Sequence, residues 1–192
     1  MSPSSATVVG EDGLRRCPWG LSTPDYVEYH DHEWGKAVHG DQALYERISL
    51  EAFQSGLSWI TILRRRETFR KAFSGFDPAL VAEFGEPDVE RLMADPGIIR
   101  NRAKVLATIA NARAVLDLEG TTLDALIWSF APEKPGRAPR AFGDVPAVTP
   151  ESTALAKELK RHGFRFVGPT TAYALMQACG LVNDHFADCF AR

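Results

Sequence analysis

Cys17 and His30 stand near the start of the chain and His185 and Cys189 at its end, a Cys2His2 set of the kind zinc binds tetrahedrally. Such a set joins the two termini. His185 and Cys189 are spaced i,i+4, which predicts a single helix presenting both to one ion. Cys17 and His30 are too far apart to share a helical turn and need a folded segment to bring them together. The same residues are also compatible with buried thiols and surface histidines that meet no ion. Neighbouring regions have to discriminate.

With 192 residues, 45% of them hydrophobic and 10% aromatic, the chain can bury a substantial core as one compact domain or two fused lobes. Its three cysteines cannot all pair, and neither a charged-then-apolar leader nor a run of about 18 apolar residues is present. A reducing cytoplasm and no membrane attachment are the expectations. The net charge of −3 gives no global attraction to an anionic polymer, so any nucleic-acid surface must be local. Two basic clusters qualify: Arg64, Arg65, Arg66, Arg70 and Lys71, and Lys157, Lys160, Arg161 and Arg165. Either one by itself also reads as a solvated helix face.

Helix follows helix without a convincing alternating strand, so the predicted class is all-α. Residues 1–14 read as a loose tail and 15–192 as a single domain. A helix from about Asp41 carries Leu44, Ile48 and Ala52 on one side and Leu50, Phe53 and Leu57 on another, which makes it central. Gly56 interrupts it, and Ser58 is placed to cap a helix bearing Trp59, Ile62, Leu63, Phe69 and Phe73. Asp77-Pro78 supplies a cap and first-turn proline, Asp88 begins a short helix, and a turn at Asp95-Pro96-Gly97 leads to a longer one with Val105, Ile109, Ala112 and Leu116. The stretch 131–150, with five prolines, is the long loop, and Thr149-Pro150 restarts a helix through Leu155 and Leu159.

The run Phe166-Val167-Gly168-Pro169-Thr170-Thr171-Ala172 resembles a helix-hairpin-helix element, spanning about 155–180. Glycine permits a tight hairpin, and N–H groups at a helix N-terminus can hold a DNA phosphate without reading sequence. An ordinary helix turn packed through Gly168 and Ala172 is the alternative. Upstream, Gly97 to Lys104 resembles the loop and helix that precede the hairpin in helix-hairpin-helix DNA glycosylases. In that superfamily the hairpin is usually followed by Val-Asp-x-His with a catalytic aspartate. Here Val182-Asn183-Asp184-His185 puts Asn183 at that position, and an amide cannot ionise. Thr170 stands where bifunctional members carry a lysine, so the Schiff-base amine is missing. The cysteines of an iron–sulfur loop are missing too.

Cys17-Pro18-Trp19-Gly20, the segment Tyr26 to Gly35 and the segment Leu50 to Trp59 resemble the 3-methyladenine DNA glycosylase I family, and the resemblance runs from about Cys17 to Cys189. It implies a helix-hairpin-helix glycosylase fold and monofunctional hydrolysis of the N-glycosidic bond of 3-methyladenine in alkylated double-stranded DNA, initiating base excision repair. It also implies one structural zinc ion on Cys17, His30, His185 and Cys189, and it agrees with Asn183, because the family lacks the superfamily aspartate. The departures are a longer N-terminal tail and an end three residues after Cys189.

Carried over residue by residue, Glu51 is the catalytic candidate, whether by recognising the base, stabilising positive charge or orienting water, and forms the base-recognition set with Tyr29 and Trp59, while Trp19, Tyr26 and Trp34 line or brace the pocket. Gly56 and Leu57 enter the gap left by the flipped nucleotide, and Gly168, Thr170, Lys160 and Arg165 meet the DNA backbone. The residue types suit that chemistry. A flipped cationic purine needs aromatic faces and a carboxylate acceptor, and Glu51 lies among Ile48, Leu50, Ala52 and Phe53, where an unpaired charge is costly. The alternatives are core packing for each aromatic and a buried salt bridge from Glu51 to an arginine. The expected enzyme is monomeric. A non-catalytic zinc-stapled sensor of alkylated or distorted DNA is the competing reading, but it could dispense with Glu51 and the aromatics. A glycosylase-lyase is disfavoured by Thr170.

Overall fold

The computed structural model describes residues 6–192. Ten α-helices are formed among them: α1 (Pro24–His32), α2 (Asp41–Gln54), α3 (Trp59–Leu63), α4 (Arg66–Ala72), α5 (Pro78–Ala82), α6 (Glu86–Ala94), α7 (Arg102–Leu116), α8 (Leu123–Trp128), α9 (Pro150–Arg161) and α10 (Pro169–Ala178). Local chemistry sets many of the starts. Thr23, Asp77, Asn101, Thr122 and Thr149 each accept a backbone N–H of the first turn, and proline follows the cap in α1, α5 and α9. No helix among the described residues is long and apolar enough to cross a membrane.

Helix α2 is the centre of the fold, as its sequence predicts. Leu44, Tyr45, Ile48, Ser49, Leu50, Glu51, Ala52 and Phe53 are all buried, and α7, α8 and α10 pack around it. Phe53 meets Phe69 at 4.7 Å between ring centroids, and Phe73 stacks on Phe76 at 5.5 Å. Each such ring removed from water stabilises the fold by roughly 1.5–3 kcal/mol. A smaller apolar group of Cys17, Phe186 and Cys189 closes the end where the termini meet.

Several boundaries differ from the sequence reading. The helix expected from Ser58 through Phe73 is two, broken at Arg64-Arg65, where the Arg65 guanidinium turns aside to donate to the Pro96 carbonyl at 2.8 Å. Ser58 caps nothing through its side chain and instead meets the Thr61 hydroxyl at 2.9 Å. Helix α6 begins at Glu86, so Asp88 is its third residue and accepts the Gly85 N–H at 3.1 Å. Helices α1 and α8 were not read from the sequence, and the proline-rich loop contains a 3-10 turn at Phe142–Asp144.

The expected loose tail is in part a hairpin: Val8–Val9 pairs antiparallel with Arg15–Arg16, and residues 1–5 lie outside the described residues. Arg16 anchors it. Its guanidinium is buried between Asp12, at 2.6 Å, and Asp31, at 2.7 Å, so the hairpin is clamped to the C-terminal part of α1.

Candidate active site and metal cluster

All four members of the Cys2His2 set are buried, and their ligand atoms lie within 4.8 Å of one another. The separations are 3.8 Å from Cys17 Sγ to His185 Nδ1, 3.6 Å from Cys189 Sγ to His185 Nδ1 and 3.5 Å from Cys189 Sγ to His30 Nε2. Bond lengths of about 2.0 Å to nitrogen and 2.3 Å to sulfur in a tetrahedron require sulfur–nitrogen separations of about 3.6 Å. The cluster therefore fits one tetrahedral ion with two thiolates and two imidazoles.

Each histidine is also oriented from behind. His30 Nδ1 meets Asp31 at 2.7 Å, leaving Nε2 for the ion, and His185 Nε2 meets the Trp34 carbonyl at 3.1 Å, leaving Nδ1. Such outer partners fix tautomer and ring plane. Gly20 makes room, since a Cβ there would fall 2.7 Å from the His30 ring. One expectation is corrected. His185 and Cys189 do not share a helix, because α10 ends at Ala178 and the chain reaches them through turns. The Cys189 N–H donates to the Phe186 carbonyl at 2.8 Å, and this turn brings the side chains together without helical periodicity.

Trp19, Tyr26, Tyr29, Trp34, Glu51 and Trp59, the whole predicted base-binding set, line one cleft of about 250 Å³, completed by Gln54, Ala174 and Gln177. Helix α1 supplies the tyrosines, α2 the carboxylate, α3 the Trp59 indole and α10 the far wall. The Tyr29 and Trp59 rings lie 5.4 Å apart, tilted by 41°, while Trp19 stands edge-on to Tyr26 at 5.6 Å and to Trp34 at 5.1 Å. Tyr26 has a bracing role, because its hydroxyl accepts the Ile60 N–H at 3.0 Å and ties the start of α3 to α1. These aromatics pack against one another and wall a cavity at the same time.

Glu51 is 5% exposed and forms no hydrogen bond or ion pair among the described residues. The salt bridge considered for it is not made: Arg47, one turn earlier on α2, donates to Glu33 at 3.2 Å, and its other terminal nitrogen is buried without a partner. Burial pushes the Glu51 carboxyl up to about 8, with the nearby Arg47 charge pulling the other way. Tyr29, also buried and facing the Glu51 charge, is pushed further from ionisation and stays a neutral phenol. An acidic group therefore sits in an aromatic cleft without a hydrogen-bond or ion-pair partner among the described residues, and burial favours its neutral form while the cleft is empty.

The break after α2 presents Gly56, at φ +83°, and Leu57, 42% exposed, to solvent. Sequence reasoning missed what holds this loop. Lys104 is buried, and its ammonium donates to the Phe53 carbonyl at 2.9 Å and the Ser55 carbonyl at 2.6 Å, capping the C-terminal end of α2. Its membership of the buried face of α7 with Thr108, Asn111 and Val115 is the available signal.

Helices α9 and α10 form the expected hairpin. Asn111 fixes the link between them by receiving the Arg165 N–H at 2.7 Å and donating to the Arg165 carbonyl at 3.1 Å. Gly168 caps α10 with no described atom within 4 Å of where its Cβ would be, so the space beside it is open. Lys160, Arg165 and Thr170 are exposed around it. The other basic cluster is largely committed to the protein itself: Arg64 pairs with Asp25, Arg66 with Glu33 and Arg70 with Glu46. Asn183 is exposed, does not line the cleft, and its side chain accepts the His185 N–H at 3.2 Å.

Comparison with known proteins gives a consistent result. The methyladenine glycosylase family profile matches residues 19–192. The chain is 48% identical over 179 residues to DNA-3-methyladenine glycosylase 1 of Escherichia coli K12, covering 92% of this chain and 96% of that protein. It is 47% identical over 178 residues to the DNA-3-methyladenine glycosylase of Haemophilus influenzae, covering 91% and 96%. A solved structure describing 3-methyladenine recognition by the Staphylococcus aureus enzyme superposes with a TM-score of 0.86 at 35% identity, covering 92% of this chain and 95% of that one. On the family match and these relatives together, the chain belongs to the methyladenine glycosylase family.

Proposed function

We propose that the protein is a monofunctional DNA glycosylase that hydrolyses the N-glycosidic bond of 3-methyladenine in double-stranded DNA, releasing the base and leaving an abasic site for excision repair. The observation that carries this reading is Glu51, a buried carboxylate without a partner in a cleft walled by aromatic rings. A neutral purine brings no charge to offset that carboxylate. A purine methylated at N3 does, and it brings hydrogen-bond donors as well.

The mechanism follows from that difference. Methylation weakens pairing and makes the base a better leaving group, so both flipping and bond cleavage cost less than for adenine. Tyr29 and Trp59 offer aromatic faces, and a cation over such a face gains roughly 0.5–2 kcal/mol. The positive base favours the ionised form of Glu51, which accepts from its edge and stabilises the charge developing as the bond to the sugar breaks. Leu57, on the exposed turn beside the cleft, enters the gap in the duplex, and the α9–α10 hairpin at Gly168 holds phosphate with Thr170, Lys160 and Arg165. Thr170 offers no amine, so the strand is not nicked.

Cys17, His30, His185 and Cys189 hold one zinc ion, which ties the termini together when bound. Four protein ligands leave it no open position for a reactive water, so its role is structural. The working protein is a cytoplasmic monomer acting on duplex DNA. Incubation with methylated duplex DNA and chemical identification of the released product tests the reading. Free 3-methyladenine with no strand cleavage is expected, whereas tight binding without release would make the protein a damage sensor.

A further inference from the structure

Gln177 lines the cleft from α10, and its amide is not free to turn. Nε2 donates to Asp184 Oδ2 at 2.9 Å, and the same oxygen accepts the Tyr173 hydroxyl at 2.6 Å. With Asp184 Oδ2 accepting from both Tyr173 and Gln177, the amide turns its NH2 toward Asp184 and leaves Oε1 on the other side. Among the described residues no hydrogen bond ends on Oε1, and that oxygen keeps accessible surface. The cleft therefore has two acceptors without partners, Glu51 on α2 and Gln177 on α10. Asp184 immediately precedes the cluster residue His185, so the turn that completes the metal cluster also supplies the clamp on Gln177.

We propose that Gln177 Oε1, oriented by Asp184, is a second acceptor for the bound base and selects purines carrying an exocyclic 6-amino group over 6-oxo purines. The proposal rests on the base-binding reading of the cleft. A 6-amino group has two N–H bonds and can serve two acceptors. A 6-oxo purine brings lone pairs to the same place, and an oxygen fixed against another oxygen leaves both without a hydrogen. Discrimination by mismatched buried polar groups is stronger than discrimination by shape, because each unpaired group loses its hydration without replacement. Gln177 is then a specificity residue that touches the base, and Asp184 a positioning residue that acts through it.

The test is calorimetric binding of free 3-methyladenine and free 3-methylguanine to the metal-loaded wild-type protein and to Gln177→Met and Asp184→Asn. Gln177→Met keeps the side-chain length and removes the acceptor. It is expected to weaken 3-methyladenine about tenfold while leaving 3-methylguanine unchanged or tighter, so the preference collapses. Asp184→Asn keeps Gln177 in place but lets its amide flip, and it lowers the preference in the same direction by a smaller factor. A purely structural role predicts otherwise: both bases weaken in step and their ratio stays put, which would overturn the assignment. A wild-type protein that binds 3-methyladenine while both variants keep its preference also overturns the role of Gln177 alone. A wild-type protein that binds neither base overturns the reading of the cleft and this assignment with it.

Discussion

The Trp34 carbonyl oxygen lies 3.1 Å from His185 Nε2, so one residue serves both as a wall of the aromatic cleft and as a rear support of the Cys2His2 cluster. The Trp34 ring also stands edge-on to the His185 imidazole at 4.7 Å. The Cys2His2 cluster and the aromatic cleft are thus mechanically adjacent.

Metal removal should therefore show first as lost stability. The cluster joins the N-terminal segment to the C-terminal turn, and thiolates holding an ion would lose their counter-charge on its removal. Metal analysis should find one zinc ion per chain, and Cys189→Ser or chelation should lower Tm by several degrees. Binding of 3-methyladenine per folded molecule should fall much less, because none of the four cluster residues lines the aromatic cleft. Equal Tm with and without metal would remove zinc from the account.

Glu51→Gln separates charge from shape. The amide fills the same volume, but it carries no negative charge and places a donor where the base has donors of its own. Binding of free 3-methyladenine and single-turnover excision should each fall by tenfold or more, with Tm near wild type at neutral pH. Wild-type values in both assays together with lost activity in Asn183→Ala would move the site to Asn183.

The same carboxyl makes a pH prediction for the unliganded protein. Its ordinary value is 4.5, and burial raises it in the folded state to about 8. A group raised by folding contributes stability that is fully present below its unfolded value and is lost as pH rises through its folded value. Stability should decline on that account between about pH 4.5 and pH 8, by an amount on the order of 5 kcal/mol at most. Glu51→Gln cannot ionise, so its denaturation midpoint should gain on that of wild type as pH rises from about 4.5 to about 8 and keep a constant offset above that. Parallel pH profiles for the two proteins would show that Glu51 is not the buried acid described.

The difference between what the sequence shows and what it hides has a physical basis. Glu51 is legible because helical periodicity puts it in the apolar run of α2, and the aromatics are legible because their residue types declare a chemistry. Lys104 and Asn111 are not, since their partners are backbone carbonyls and N–H groups of distant segments, which leave no mark on residue identity. Gln177 escapes for a related reason, because its meaning depends on which way Asp184 turns the amide. Helix α3 has only five residues, too short for a period to register. The spacing of His185 and Cys189 coincides with a helical repeat, but a turn brings their side chains equally close.

Lys104→Met should uncouple DNA engagement from base recognition. The buried ammonium holds the carbonyls of Phe53 and Ser55, and beyond them Gly56 and Leu57 form the exposed turn. Without it the last turn of α2 frays and the leucine loses its fixed position. Excision from duplex DNA should fall about tenfold, while binding of free 3-methyladenine stays within about twofold. Combining it with Leu57→Ala should cost little more than either change alone, since both remove the same insertion. Additive losses would show that Lys104 acts elsewhere.

Gly168→Val tests the hairpin. Gly168 sits at φ −84°, a conformation open to any residue, and a Cβ there would meet no described atom within 4 Å. The protein itself therefore has no steric need for glycine, and the folded state should accept valine with little change in Tm. A phosphate approaching the first N–H groups of α10 would meet the new side chain directly. Duplex affinity should fall about tenfold or more, and the salt dependence of the remaining binding should become shallower as a phosphate contact is lost. Free 3-methyladenine affinity should be unchanged, because Gly168 does not line the base cleft. Unchanged duplex binding in a fully folded Gly168→Val protein would take the phosphate contact away from the hairpin.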